Sequence, residues 1–295
     1  RPNLIIAGAQ RSATTSLKHG LMASPEIKFI SNSEENLSYK GQYIGFPFAT
    51  PYNSRSIVGF ENDGAAYEAM TRQYRYTKEG EQKKQALTLK YYGIKWPYFM
   101  VFPHIASNIR QQLPEARIVL ILRNPTECLW SSFRKRYKGQ DLAGDFAAFV
   151  DEGLKDIEAG FDAAWRSKWQ HMFFVDEKPA IALDRGFYYP QIMHFLHLFG
   201  WSHVYVMNYQ DFSQNPLSSL SKLLRWLNLP GPGDNGVDYS DLDKRHNAIE
   251  EHNVAKVVSA TMDSDTRLRL NQFYAPSNNL LCELLDWDCD AWTNH

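Results

Sequence analysis

Cysteine is almost missing from this chain: Cys128, Cys282 and Cys289 are the only three in 295 residues. An odd, sparse set excludes a disulfide framework, although Cys282 and Cys289 could pair with each other in an oxidising compartment. No apolar run approaches the roughly 20 residues of a membrane span, and no signal-peptide pattern is present. The chain opens on Arg1 rather than Met, almost directly in a strand-like run, so a leading segment is expected to have been trimmed. Charge of one sign is not in excess. The net charge of −1 gives no overall basicity for nucleic acid and leaves room only for a local basic site. Metal-ligand spacing is absent as well. His194 and His197 sit three apart on one predicted helix without an acidic partner, and read as packing or surface residues. There is no internal repeat and no low-complexity linker.

What is present is apolar and aromatic. Hydrophobic residues make up 44% of the chain, enough for one large core. The aromatics suit a bulky core, or stacking platforms for a base or sugar. Leu4–Ala7 and Ile118–Leu122 are short apolar runs that read as strands, with Val204–Asn208 a further strand and Leu87–Tyr91 another candidate. Helices are predicted over Thr14–Ala23, from Pro97 or Pro103 to Leu113, from Pro125 to Tyr137, over 145–158, over 187–199 and from Pro216 to Leu227, with two more at 263–275 and 277–286. Residues 31–60 read as loop, and 64–86 as a charged helix whose Arg72, Arg75, Lys78, Lys83 and Lys84 form a solvated face. Pro230-Gly-Pro-Gly-Asp-Asn-Gly236 is a loop. Strands alternating with helices predict an α/β fold: a central parallel sheet flanked by helices on both faces. One domain over 1–295 is expected, with excursions from the sheet at about 31–86 and 139–185.

The segment from Gly8 to Thr15 (Gly8, Ala9, Gln10, Arg11, Ser12, Ala13, Thr14, Thr15) is a strand, a tight turn and a helix start. Such a turn aims several backbone N–H groups at one point, and the helix dipole adds positive character. Arg11 contributes a bidentate cation, and Ser12, Thr14 and Thr15 contribute hydroxyls, which together suit phosphate or sulfate. The Gly-Lys-Ser/Thr of an ATP-type loop is missing. A plain Ser/Thr-capped helix would look similar. A second site follows Ile118–Leu122: Arg123 ends that run, and Ser131 lies about two helical turns further on. Ligands of parallel sheets bind outside the carboxyl ends of the strands. Arg11 and Arg123 are thereby expected on one rim, where a nucleotide carrying both 5′ and 3′ phosphates would fit. The other reading of Arg123 is a structural ion pair.

The pairing of Gly-x-x-Arg-Ser-x-Thr-Thr with Leu-Arg-Asn-Pro…Ser resembles the sulfotransferases that use 3′-phosphoadenosine 5′-phosphosulfate (PAPS), and within them the branch of heparan sulfate sulfotransferases and related bacterial enzymes. Lys95-Trp-Pro-Tyr-Phe99, Gly186-Phe-Tyr188 and Val204–Leu227 match further segments of that branch in order. The resemblance implies a P-loop-like fold and a 5′-phosphosulfate loop at Gly8–Thr15. It implies a 3′-phosphate pair in Arg123 and Ser131, release of the product PAP, and no metal. Arg11 and Lys95 would stabilise the leaving phosphate. Glu35, then Glu34, in Ser33-Glu-Glu-Asn-Leu-Ser-Tyr39 would be the base, with His246 as an outside candidate. Lys244 and Arg245, in Asp243-Lys-Arg-His-Asn247, would reach the 3′ phosphate from a late loop. The chain departs from the family pattern at Ala13, usually Gly, and at Arg11, commonly Lys. A Cβ at position 13 implies either a narrowed turn or a negative φ.

The expected acceptor is a hydroxyl or amine on a carbohydrate or small molecule. Trp165, Arg166, Lys168 and Trp169 are candidates to meet a sulfated sugar, or are simply core and surface. Two other readings stay open. A P-loop-like kinase would need a loop Lys-Ser/Thr and Mg²⁺ carboxylates; an inactive fold would only bind an anionic glycan. Golgi lumen and cytoplasm both remain open, the Asn36-Leu-Ser38 sequon fitting the former.

Overall fold

The computed structural model describes residues 2–29, 38–39, 42–43, 89–136, 142–160, 178–232, 234, 261–288 and 290–293. The expected helix at 64–86, and Trp165, Arg166, Lys168 and Trp169, lie outside these residues. The chain divides into two compact units. The first comprises 1–9, 13–122 and 195–246; the second comprises 10–12, 123–194 and 247–295.

The first unit is built on a five-stranded, wholly parallel sheet in the order β2-β5-β1-β6-β7. Its strands are β1 (Leu4–Gly8), β2 (Ile27–Phe29), β5 (Tyr91–Lys95), β6 (Arg117–Leu122) and β7 (Val204–Asn208). The remaining two, β3 (Ser38–Tyr39) and β4 (Gln42–Tyr43), pair antiparallel by themselves, within a stretch expected to be loop. The β1 run and Ile118–Leu122 of β6 are apolar throughout because both faces of their part of the sheet are dry. Leu4, Ile6, Val119 and Ile121 point into one core with Leu17 and Leu21 of helix α1 (Thr14–Met22). The alternating Ile5, Ala7, Ile118, Leu120 and Leu122 face the other way and are equally sealed from water. Each branched side chain so buried contributes about 1.5–3 kcal/mol before entropy is counted.

The chain passes from β1 outward to β2, returns to β5, and then crosses to β6 on the other side of β1. This makes the carboxyl end of β1 the switch point where ligands of such sheets bind. Register carries Lys95 there, since it pairs with Ile6 near the end of β1. Of the strand expected at Leu87–Tyr91, residues 87 and 88 lie outside the described residues, and the strand described here runs over Tyr91–Lys95. Pairing decides this: Asn3 binds the Lys90 carbonyl and the Tyr92 N–H with its side-chain amide, locking Gly93 beside Leu4. Of the two prolines offered as a helix start, Pro103 is the one used, opening α2 (Pro103–Gln112). Pro97 sits in a turn closed by Phe99 N–H to the Trp96 carbonyl.

The second unit is helical. Its main elements are α3 (Pro125–Arg136), α4 (Leu142–Glu158), α5 (Pro179–Asp184) and the long α9 (Ser264–Leu285). The helix α6 (Tyr188–Phe199) contributes residues to both units. Between α5 and α9 in the chain, the first unit holds two more helices, α7 (Tyr209–Gln214) and α8 (Pro216–Trp226). Trp130, Phe133 and Phe146 form the aromatic centre of the second unit, with Phe146 edge-on to both rings at 4.8 and 5.0 Å. Gly153 lets α4 approach α5: a Cβ there would stand 2.9 Å from the Pro179 carbonyl carbon.

The two helices expected at 263–275 and 277–286 are one helix, interrupted by nothing more than Pro276. Its buried stripe of Leu270, Tyr274, Asn278, Leu281 and Cys282 stays in phase through the proline. Pro276 itself faces solvent, on the side where helix hydrogen bonds already lengthen, so the missing donor costs least there. Asp263 caps the helix by accepting from Thr266 N–H at 2.8 Å. Cys282 is disulfide-bonded and Cys128 is a free, buried thiol; Cys289 lies outside the described residues.

Candidate functional site

In the first unit the site begins where β1 stops. Gly8 is required there because a Cβ would fall 1.9 Å from Met100 Sδ, and the neighbouring Ala9 N–H is bonded to the Ile121 carbonyl at 2.8 Å. Ala13 then opens α1 in a left-handed conformation, φ 60° and ψ 26°. Of the two outcomes expected for a Cβ at this position, a narrowed turn or a negative φ, the negative φ does not occur: φ is positive, and the residue keeps the glycine-type conformation. The cause is local: Ala13 must reverse the chain and still offer its carbonyl to Leu17 N–H, which it does at 3.0 Å. Ala13 has no side-chain oxygen to cap the helix, and the first turn holds no acidic residue. The leading N–H groups of α1 thus present positive character without a competing carboxylate. Lys95, at the end of β5, donates from Nζ to Thr15 Oγ1 at 2.8 Å.

In the second unit, Arg11 adopts a left-handed conformation with φ 65°. Its Nε donates to Ser131 Oγ at 3.0 Å. Ser12 is fully buried, its hydroxyl 3.3 Å from Cys128 Sγ. Gln10 Oε1 accepts from Arg185 Nη1 at 3.1 Å. The start of α3 is firmly built: Asn124 Oδ1 caps Thr126 N–H at 2.9 Å, and Thr126 Oγ1 donates to Asn271 of α9 at 2.8 Å. Arg123 Nη2 stands 3.5 Å from Glu127 Oε2, and Glu127 Oε1 is in close contact with Arg267 Nη1.

The electrostatics follow from this crowding. Burial pushes the Cys128 thiol up, against the opposing pull of Arg123, of hydrogen bonds from Ser12 and Tyr188, and of Arg11. Burial likewise raises the Tyr188 and Tyr274 hydroxyls well above the ordinary tyrosine range. The buried Cys128, Tyr188 and Tyr274 are therefore neutral at ordinary pH, and the charges here are those of the arginines and of Glu127. The arginines are suited to a strongly anionic ligand.

Of the residues singled out from the sequence, the structure brings Arg11 to Ser131 and Lys95 to Thr15. Arg123 is placed against Glu127. Glu34, Glu35, Lys244, Arg245 and His246 lie outside the described residues. Sequence reasoning missed Glu127, Cys128, Arg185 and Arg267. Only Glu127 had a local signal, its position one helical turn after Arg123. Arg185 meets Gln10 across 175 positions of chain, a contact no local pattern announces. Among the described residues, no group of three or more His, Cys, Asp or Glu is placed to hold a metal, and no helix is long and apolar enough to cross a membrane.

Comparison with known proteins gives three results. Residues 2–233 match the model of the family described as the sulfotransferase family. Two curated relatives are the membrane-associated sulfotransferase kil1 of Dictyostelium discoideum, 22% identical over 99% of this chain and 67% of its own length, and carbohydrate sulfotransferase 15 of Mus musculus, 25% identical over 61% of this chain. The chain spans only 31% of the mouse protein's length. In fold, the crystal structure of a sulfotransferase from Alicyclobacillus acidocaldarius aligns with 99% of this chain and 98% of its own, at a TM-score of 0.62 and 22% identity.

Proposed function

The chain belongs to the sulfotransferase family, and from that premise we propose that it moves a sulfuryl group from PAPS to a hydroxyl or amine of a carbohydrate or small-molecule acceptor, releasing PAP. The observation that carries this reading is the meeting of Arg11 with Ser131, Nε to Oγ at 3.0 Å. Arg123 just before a well-capped helix, and Arg11 meeting Ser131 within it, are cations and a hydroxyl that suit a phosphorylated nucleotide. The family match runs through stretches of both units, which supports a single sulfotransferase domain. A curated relative named as a carbohydrate sulfotransferase supports a sugar hydroxyl as acceptor.

In this reading the loop from Gly8 to Thr15 holds the 5′ phosphate through its N–H groups and hydroxyls. Arg123 and Ser131, joined by Lys244 and Arg245, hold the 3′ phosphate. The acceptor oxygen attacks sulfur in line, and the bond from sulfur to the 5′-phosphate oxygen breaks. The leaving oxygen keeps the electron pair, and the acceptor proton passes to a base, Glu35 in first place, Glu34 or His246 otherwise. Lys95 and Arg11 offset the charge that grows on the leaving oxygen. Each such charge-assisted hydrogen bond contributes about 1.5–3 kcal/mol. Lys95 already donates to a loop hydroxyl, Thr15 Oγ1, so a short shift along its flexible stem exchanges that acceptor for the developing anion. The scheme assigns no step to a metal.

Calorimetric titration with PAP, against ATP plus Mg²⁺, tests the donor. Micromolar PAP binding without metal is expected, and no response to Mg·ATP. Mg·ATP binding without PAP binding would instead establish a kinase. Binding of neither would point to an inactive fold that holds an anionic glycan.

A further inference from the structure

After α9 the chain turns back onto the start of α3. Asp286 ends α9 in a left-handed conformation, φ 53° and ψ 45°, with its N–H directed at the Glu283 carbonyl. The next N–H, of Trp287, is bonded to the Cys282 carbonyl at 3.0 Å. This is a Schellman ending, which fixes the direction in which the chain leaves the helix. Asp288 Oδ1 then accepts from Asp290 N–H at 2.9 Å, where a last short helix, α10 (Asp290–Thr293), begins. Trp292 of α10 is only 5% exposed. Its ring stands edge-on to Tyr188 at 6.4 Å and to Trp287 at 6.0 Å. A ring of this size, packed against two others, holds its own backbone in place. The Trp292 carbonyl is thereby set against Asn124, whose Nδ2 donates to it at 3.2 Å.

Asn124 is the N-cap of α3. Its carbonyl takes the first helical bond, from Cys128 N–H at 3.0 Å, and its Oδ1 accepts from Thr126 N–H at 2.9 Å. An asparagine amide caps in only one of its two orientations, because its ends are alike in shape and opposite in hydrogen bonding. Turned over, Nδ2 would face the Thr126 N–H, donor against donor. With an N–H on one side and a carbonyl on the other, the side chain has one satisfied orientation. The N–H is local, but the carbonyl comes from Trp292, 168 positions away. Serine presents a single oxygen and would cap without that help. Asparagine makes the cap depend on α10. What the cap supports is the donor site, since α3 carries Ser131, which accepts from Arg11 Nε at 3.0 Å, and Cys128, 3.3 Å from the Ser12 hydroxyl.

We propose that Trp292 is a positioning residue of the donor site: its carbonyl holds the Asn124 amide in the capping orientation, and the capped α3 holds Ser131 and Cys128 against the donor loop at Arg11 and Ser12. The assignment rests on the reading of Arg11 and Ser131 as donor-site residues. Trp292 itself touches no ligand.

Calorimetric titration with PAP tests this in four proteins: the unaltered chain, Trp292→Leu, Asn124→Ser and the double variant. Leucine keeps the position apolar but loses both ring contacts. Trp292→Leu is expected to weaken PAP binding about fivefold, the scale of one N-cap. In the Asn124→Ser background the same change should matter by less than about twofold. Unchanged affinity in Trp292→Leu overturns the proposal and leaves the donor reading standing. An equal loss in both backgrounds also overturns it, because Trp292 would then act through general packing and not through the amide. Should Trp292→Leu not fold, two variants that leave Trp292 intact decide. Asn124→Asp should unfold at lower urea than Asn124→Ser, since a carboxylate oxygen would face the Trp292 carbonyl, although aspartate and serine are otherwise comparable caps. An equal or reversed order overturns the proposal. Failure of the unaltered chain to bind PAP overturns both the donor reading and this inference.

Discussion

Ala13→Gly should stabilise this protein, although it removes a methyl group from the loop proposed to hold the 5′ phosphate. Ala13 has φ 60° and ψ 26°, a conformation that costs an L-residue about 1–2 kcal/mol and a glycine nothing. Replacing it with glycine recovers that strain. The unfolded chain also becomes freer, which takes back about 0.4–1 kcal/mol. The net gain is about 0.5–1 kcal/mol. Ala13→Val runs the other way, because a β-branched side chain tolerates positive φ worst, and should cost at least about 1–2 kcal/mol. Urea unfolding of the three proteins at a common slope reads the order directly. At a slope of about 2–3 kcal/mol/M, glycine should raise the midpoint by about 0.2–0.5 M. PAP affinity should follow the same order, since the loop N–H groups depend on this turn. A glycine variant with a lower midpoint than the unaltered chain would refute the reasoning, because strain at Ala13 could not then be the governing term.

The other predictions concern the cations, one glycine and pH. Lys95→Met should slow PAPS turnover about 10- to 100-fold, the worth of one charge-assisted hydrogen bond, while PAP affinity changes little; Arg123→Ala should weaken PAP binding by a similar factor. Full activity in both variants would dismantle the site assignment. Gly186→Ala should lower stability by about 1–3 kcal/mol, a typical overpacking penalty. Its Cβ would land 2.4 Å from Cε1 of the buried Tyr274 ring, which is pinned by its hydroxyl donating to the Leu183 carbonyl at 2.8 Å; an unchanged unfolding midpoint would show that the ring can yield. Stability should also fall in alkali. Burial raises Tyr188, Tyr274 and Cys128, so the folded state keeps protons that the unfolded chain releases above about pH 8.5 for cysteine and about pH 10 for tyrosine. Their contribution is complete below those values and lost as pH rises above them. Urea midpoints from pH 7 to 10.5 that stay level would contradict this.

The elements that could be read from the chain are those whose cause is local. Leu4–Gly8 and Ile118–Leu122 are continuous apolar runs because both sides of their part of the sheet are dry, Val204–Asn208 is a half-buried, mostly apolar edge strand, and Pro103, Pro125 and Pro216 stand at helix starts where the missing N–H is harmless. The strand Ile27–Phe29 went unread, being three residues long and defined only by its pairing with Tyr91–Gly93. The short helices Pro179–Asp184 and Tyr209–Gln214 were likewise too brief to show a period. Pro276 looked like a helix end and is not, because the buried stripe of α9 outweighs one absent hydrogen bond on the solvent side.

The site divides along the same line. The residue types in Gly8–Thr15 and in Arg123–Ser131 are set by sequence, and so is the anion chemistry they suggest, since a turn before a helix start offers N–H groups whatever lies around it. Which side chains meet is a property of the folded chain. Arg11 finds Ser131, Gln10 finds Arg185, Thr126 finds Asn271 and Glu127 finds Arg267 across separations of 120, 175, 145 and 140 residues. Periodicity and caps act over a few residues, whereas these contacts depend on strand order and helix packing. The sequence therefore determined the residue types that suggest an anionic ligand, and the tertiary structure decided which partners hold its charged groups in place.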